Sequence, residues 1–260
     1  MLFEKHSSAR DYGIAFALGF GTLFLTILYL FLRRGYFDAH IINKAVATTA
    51  VILLILVFLT GPLARYFEKW DSWVGYRKEI GIVAGILALA HALITFVFYP
   101  TKSFAEYFSK DGLPALAGIV GVILLGALWV SSRNRVIELI GSRRWWFFQR
   151  WGLRVVIFLT VLHVVLLKYN GWMQWFMTGT AKGVVLIWMP PLSLLLILFV
   201  LWVILIRFYE SIFLFRSVGF LQTTEITDPT LKRHGKKFVL YSGILFLIVV
   251  IFLFLRWVVF

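Results

Sequence analysis

Long apolar runs separated by short polar ones organise this chain. A helix needs roughly 20 mostly apolar residues to cross a bilayer core. Seven segments meet that measure, at about 12–32, 42–63, 79–99, 113–131, 146–167, 184–207 and 238–259. The fifth, carrying Arg150 and Arg154, and the sixth, opening on Met189-Pro190-Pro191, are the least regular. The pattern predicts an all-α, polytopic membrane helical bundle forming a single domain over residues 1–260. The first five loops are short, and only 208–237 is longer. Within it, 209–216 extends the sixth span as a cytoplasmic continuation or an interfacial helix, and Thr227-Asp228-Pro229-Thr230 makes a turn. The first segment starts too late and runs too long for a secretory signal, and no small-residue cleavage site follows, so it reads as an uncleaved helix.

Composition agrees. Hydrophobic residues make up 61% of the 260, against about 45–50% in soluble domains, and the mean hydropathy is +0.90. The net charge of +14 reads as a membrane signature rather than a nucleic-acid one. Of the 26 Lys and Arg, 18 fall at the N-terminus and in the loops after spans two, four and six, and 8 on the other side. The positive-inside rule then places the N-terminus in the cytoplasm and the C-terminus outside. Arg77-Lys78, Arg143-Arg144 and Lys232-Arg233-His234-Gly235-Lys236-Lys237 are the main inner clusters. They serve first as a topology signal and an attraction for anionic lipid, and for some of these residues phosphate binding is the sharper reading. Tryptophans 70, 73, 145, 146, 151, 172, 175 and 257 gather near span ends as an interfacial belt. Gly81 and Gly85 form a small-xxx-small pair suited to close helix packing, or, at Gly85, to the approach of a flat macrocycle. With no cysteine, iron–sulfur clusters, covalent haem and disulfides are excluded. No GxGxxG or P-loop occurs, so any reductant must come from a partner protein, a quinone or a bound flavin.

Two histidines stand out. His91 and His163 lie deep inside the third and fifth spans, and ionisable groups at membrane depth are expensive and mark functional sites. His91 is 12 residues beyond Glu79, about 18 Å along a helix, and His163 lies 14 to 17 residues into its span, about 21–26 Å. Both spans run from inside to outside, so both imidazoles fall past the midplane at similar depth. Ala84, Ala88, His91 and Thr95 share one helix face, as do Val156, Thr160 and His163. Such a pair can ligate one haem iron from opposite sides. Tyr99, Lys102, Lys168 and Tyr169 lie just beyond, placed to neutralise propionates or to anchor the span ends. The competing readings are imidazoles bonded to a carbonyl or hydroxyl, or a proton relay in a haem-free transporter or assembly subunit. In the transporter reading, Met189-Pro190-Pro191 would free backbone groups to line a cavity. The spans read as free of acidic residues, which argues against a cation carrier. His6, His40 and His234 read as loop residues, and a zinc site lacks the three or four ligands it needs.

Three stretches resemble the ferric-reductase-like transmembrane superfamily: Arg77-Lys78-Glu79-Ile80-Gly81 leading to Ala90-His91-Ala92-Leu93; Ser131-Ser132-Arg133-Asn134; and Arg143-Arg144-Trp145-Trp146-Phe147-Phe148-Gln149-Arg150-Trp151 leading to Leu162-His163. The superfamily includes haem-bearing membrane subunits of bacterial methionine sulfoxide reductase systems (YedZ/MsrQ type), with STEAP metalloreductases and NADPH oxidase membrane domains as more distant members. The resemblance implies a six-helix core over about 12–208, a cytoplasmic loop 209–237 and an extra C-terminal helix 238–260. It implies transmembrane electron transfer in a cell membrane, a bacterial inner membrane, to an acceptor on the outer face. Many members carry a second histidine about 14 residues before the one matching His163, for an inner haem. Here that place holds Gln149, and the third span offers Arg77. The resemblance thus implies one haem b, on the outer side, with His91 and His163 as metal ligands. Single-haem relatives bridge the inner gap with a flavin, FMN or FAD, for which Arg77, Lys78, Gln149, Arg150 and Arg154 are the candidate contacts.

Overall fold

The computed structural model describes residues 8–98, 104–179, 183–218 and 229–259. In chain order these form α1 (Ala9–Arg34), α2 (Ala39–Tyr66), a 3-10 turn (Glu68–Trp70), the one-turn α3 (Asp71–Val74), α4 (Arg77–Phe98), α5 (Phe104–Ser131), α6 (Asn134–Ile140), α7 (Ser142–Thr178), α8 (Leu192–Val218) and α9 (Pro229–Val259). Among them α1, α2, α4, α5, α7, α8 and α9 are long and apolar enough to span a membrane. The fold is the all-α polytopic bundle that the hydrophobic pattern predicts.

Local chemistry sets the helix ends. The Ser8 hydroxyl accepts the Asp11 amide while the Asp11 carboxylate accepts the Ser8 amide, a reciprocal cap that starts α1. Gly35, at φ 74°, ends it. Two boundaries depart from the hydropathy reading. The fifth span is longer than 146–167: α7 runs 37 residues, about 55 Å at 1.5 Å per residue. Its limits are Gly141 and Gly179, both at positive φ, so hydropathy fades while the helix continues. The sixth span begins at Leu192 rather than 184, because consecutive prolines Pro190 and Pro191 lack the N–H groups a helix interior needs. Its far end continues as helix to Val218, the first of the two forms expected for 209–216.

Residues 183–191 instead form a strap tied to the ends of α1 and α7. The Val185 and Leu186 amides donate to the Arg33 carbonyl, Tyr29 Oη donates to the Pro190 carbonyl at 2.7 Å, and Arg33 Nε to the Met189 carbonyl at 2.9 Å. Trp175, expected in the interfacial belt, is fully buried and donates its indole N–H to the Ile187 carbonyl at 2.9 Å.

The centre of the bundle is α2, which is largely buried while the other spans each leave an apolar face outward. Helices α1, α4 and α8 pack around it, and α5 packs along α7. Peripheral α9 leans on α8 through the stacked Trp202–Phe246 and Tyr209–Phe238 rings. Close approaches fall at Gly19, Gly118 and Gly152 but not at the Gly81 and Gly85 pair. A methyl at Gly152 would meet Leu128 at 2.6 Å, whereas Gly81 and Gly85 have nothing within 4 Å and are not a packing pair.

Pro62 interrupts α2 and leaves the Phe58 carbonyl without its helical donor. Arg207 of α8 supplies one through Nη2, and Arg77 Nε donates to the adjacent Val57 carbonyl at 3.2 Å. Glu210 holds Arg207 at 2.9 Å and Arg65 at 2.5 Å. The expectation of acid-free spans is therefore corrected: Glu210 is buried in α8, and Asp11 and Glu79 are buried in the first turns of α1 and α4. Sequence alone assigned Glu210 to the loop after the sixth span.

Gly235 of α9 faces the buried Tyr66 ring so closely that a methyl there would overlap it. Gly235→Ala should lower the thermal midpoint in detergent, by an overpacking cost of about 1–3 kcal/mol. Gly81→Ala, in open space, should leave it unchanged or raise it through a helix-propensity gain of up to about 1 kcal/mol.

Candidate functional site

Ile80, Val83 and Ala84 of α4, Leu128 of α5 and Val156 of α7 belong to one buried hydrophobic cluster. From Ala84 and from Val156, each histidine lies seven residues further along, about 10 Å. The two rings are near enough for His163 to act electrostatically on His91. Ala84 and Val156 are buried, but Ala88, His91, Thr95, Thr160 and His163 are only half-buried. Among the described residues, α4 and α7 do not pack on each other over any length; their neighbours are α2 and α5.

Each imidazole is held by one nitrogen. His91 Nδ1 lies 2.8 Å from Asn43 Oδ1 on α2. The Asn43 amide nitrogen donates to Thr95 Oγ1 at 2.9 Å, and Thr95 donates in turn to the His91 carbonyl at 2.8 Å. With the amide N–H committed to Thr95, Oδ1 faces the ring and accepts from Nδ1–H. His163 Nδ1 lies 2.7 Å from the Pro114 carbonyl on α5. A carbonyl only accepts, so this ring also carries its proton on Nδ1. Both Nε2 atoms then hold a lone pair. Gly118 lets His163 approach: a methyl there would stand 3.0 Å from Nδ1. A neutral imidazole whose second nitrogen is held by an acceptor is the usual state of a metal-ligating histidine. Two such rings within electrostatic reach of each other fit an axial pair.

Positive charge gathers at the ends of these helices on the side of the two histidines. Lys168 acts electrostatically on His91, His163, His40 and Lys44 alike. Arg34 also lies within reach of His40 and Lys44. His40 is half-buried in the first turn of α2, not in a loop, and His234 lies within α9. Tyr169 is exposed. Tyr99, Lys102 and His6 lie outside the described residues. Sequence reasoning missed Asn43, Pro114 and Lys44; the available signal was one amide beside one cation at the start of an apolar run.

At the other end, Arg65, Arg77, Arg154 and Arg207 share the field of Glu210. Arg154 also lies over the Trp151 ring, 4.7 Å from its centroid. Gln149 donates to the Leu128 carbonyl and to the Ser131 and Ser132 hydroxyls at 2.8–3.0 Å, capping the end of α5. Arg150 is exposed. The structure thus brings Arg77 and Arg154 into one electrostatic group, commits the Gln149 amide nitrogen to α5, and leaves Arg150 at the surface. Among the described residues, no three His, Asp or Glu side chains come together as a metal-ligand group.

Residues 46–153 match the family described as ferric reductase like transmembrane component. The stretch contains His91, Arg77, Gln149 and Arg150, and it stops ten residues short of His163. A metalloreductase, STEAP3, from Rattus norvegicus is 34% identical over 68 residues, covering 22% of this chain and 14% of that protein. The match therefore spans a small part of that relative's length. Over the stretch from α2 into the first half of α7, the chain is similar to the ferric reductase like transmembrane component family.

Proposed function

We propose that this protein carries electrons across its membrane through one haem b held between His91 and His163, away from the charge-rich face. The carrying observation is the common state of the two rings, each with Nδ1–H given to a protein acceptor and Nε2 left as a ligand. Bound there, a haem with two histidine ligands supplies a one-electron carrier without an open iron position.

The chain's own residues do the remaining work. Asn43 and the Pro114 carbonyl orient the rings. Ala88 and Gly118 leave room beside them. Lys168, Lys44 and His40 supply positive charge for propionates. The absence of cysteine makes the group noncovalent. On the inner side, four arginines around one carboxylate leave excess positive charge. This charge suits an anionic donor there, a flavin (FMN or FAD) near Arg77, Arg150 and Arg154; a reduced quinone, which is neutral, is the alternative donor. The acceptor would meet the outer face, and the chain would serve as the membrane component of an oxidoreductase in a cell membrane.

One feature weighs against the transporter reading. Met189-Pro190-Pro191 lies outside α8, and the Met189 and Pro190 carbonyls are taken by Arg33 and Tyr29.

Purified protein should show a low-spin b-type absorption spectrum, with one haem per chain on extraction. His91→Ala and His163→Ala should each abolish it. A folded protein lacking that spectrum would sink the reading, and the extraction also counts flavin. Asn43→Leu should keep both ligands but weaken haem retention about 10–100-fold, the usual effect of losing a partner that orients a metal-bound histidine; titration of the apoprotein with haem measures it. Unchanged affinity would mean that the Asn43 contact does not orient the ring.

A further inference from the structure

At the charge-rich end of the bundle, far from His91 and His163, lies a cavity of about 540 Å³ between α1, α4, α5 and α6. Three cations line it: Lys78 in the first turn of α4, Arg133 just before α6, and Arg135 within α6. Among the described residues, none of the three is in an ion pair. Three like charges around one opening repel one another, and a phosphate relieves that repulsion with charge-assisted hydrogen bonds. Two amphipathic rings, Tyr12 and Trp129, line the same cavity, and such rings favour the headgroup level of a bilayer.

The cavity continues into an apolar track. From Ile82 on its wall, α4 presents Ile86, Leu89 and Leu93 at helical spacing, 44%, 47% and 56% exposed. From Tyr12, α1 presents Phe16 and Phe20 in the same way, 43% and 68% exposed. Helices α1 and α4 are neighbours, so both rows run from the cationic cavity toward mid-membrane. A soluble phosphate compound would satisfy the cations and leave this track uncovered, whereas an amphiphile matches both parts.

We propose that the cavity binds the headgroup of an anionic phospholipid of that leaflet. The phosphate sits among Lys78, Arg133 and Arg135, and an acyl chain follows Ile86, Leu89 and Leu93. The site is independent of any haem.

The test is native mass spectrometry of the delipidated full-length protein in mild detergent, titrated with phosphatidylglycerol or phosphatidylcholine. Phosphatidylglycerol should bind at one molecule per chain in clear preference to phosphatidylcholine. Neutralising each cation should weaken it about fivefold, and the combination of Lys78→Gln, Arg133→Gln and Arg135→Gln on the order of a hundredfold. The paired control Arg143→Gln and Arg144→Gln, on the same face but off the cavity, should have little effect. Should the triple variant fail to fold, the exposed Arg135→Gln alone must show its fivefold loss. Equal binding of the two lipids, an equal loss in the control, or displacement of the lipid by equimolar inorganic phosphate or FMN would overturn the proposal.

Discussion

A polar group inside a bilayer must find its partner within the protein, because lipid offers none. That constraint accounts for most of the specific contacts here. Pro62 frees a carbonyl and Arg207 takes it. Arg207 then needs a counter-charge, and Glu210 supplies it while also holding Arg65. Gln149 meets the same demand at the end of α5, and His163 finds its acceptor at Pro114 within the same helix. The strap at 183–191, which lacks helical hydrogen bonds of its own, is tied by Arg33, Tyr29 and Trp175. Apolar packing gives the bundle its bulk, and these few directed bonds fix which helix faces which.

The same constraint shapes the histidine pair. Each imidazole must place one N–H, and the acceptors come from different neighbours, Asn43 on α2 and Pro114 on α5. The ring that remains neutral and anchored is also the ring ready to ligate a metal. In the proposed haem reading, satisfying the membrane and preparing the ligand are one structural act. Helix α2 joins the two ends of the molecule. It carries Asn43 near its start and the carbonyls of Val57 and Phe58 some 15 residues on, about 22 Å along a straight helix.

Much of this was legible in the sequence. Seven spans follow from hydropathy, and two histidines at depth announce themselves because their cost there is high. What escaped shares a physical cause. Hydropathy ends where lipid contact ends, not where a helix does, so α7 ran past its expected limits and Glu210 was assigned to a loop. Asn43 sits next to Lys44 and looks like a span boundary rather than a partner of His91. The Pro114 carbonyl has no side-chain signature; only Gly118, one turn away, hints that something comes close. Gly81 and Gly85 show the reverse error, a packing motif without a packing partner.

The length of α7 reaches beyond the bundle itself. At about 55 Å against a hydrocarbon core of roughly 30 Å, it must tilt strongly or overhang the bilayer. The 15 residues from His163 to Thr178, about 22 Å, lie on the side where the strap folds over the ends of α1 and α7. Where α7 overhangs, that face is a raised rim of protein rather than a plane flush with the lipid headgroups. A water-soluble molecule arriving from that side would encounter this rim first, so its recognition would depend on the shape and side chains of the rim rather than on membrane composition.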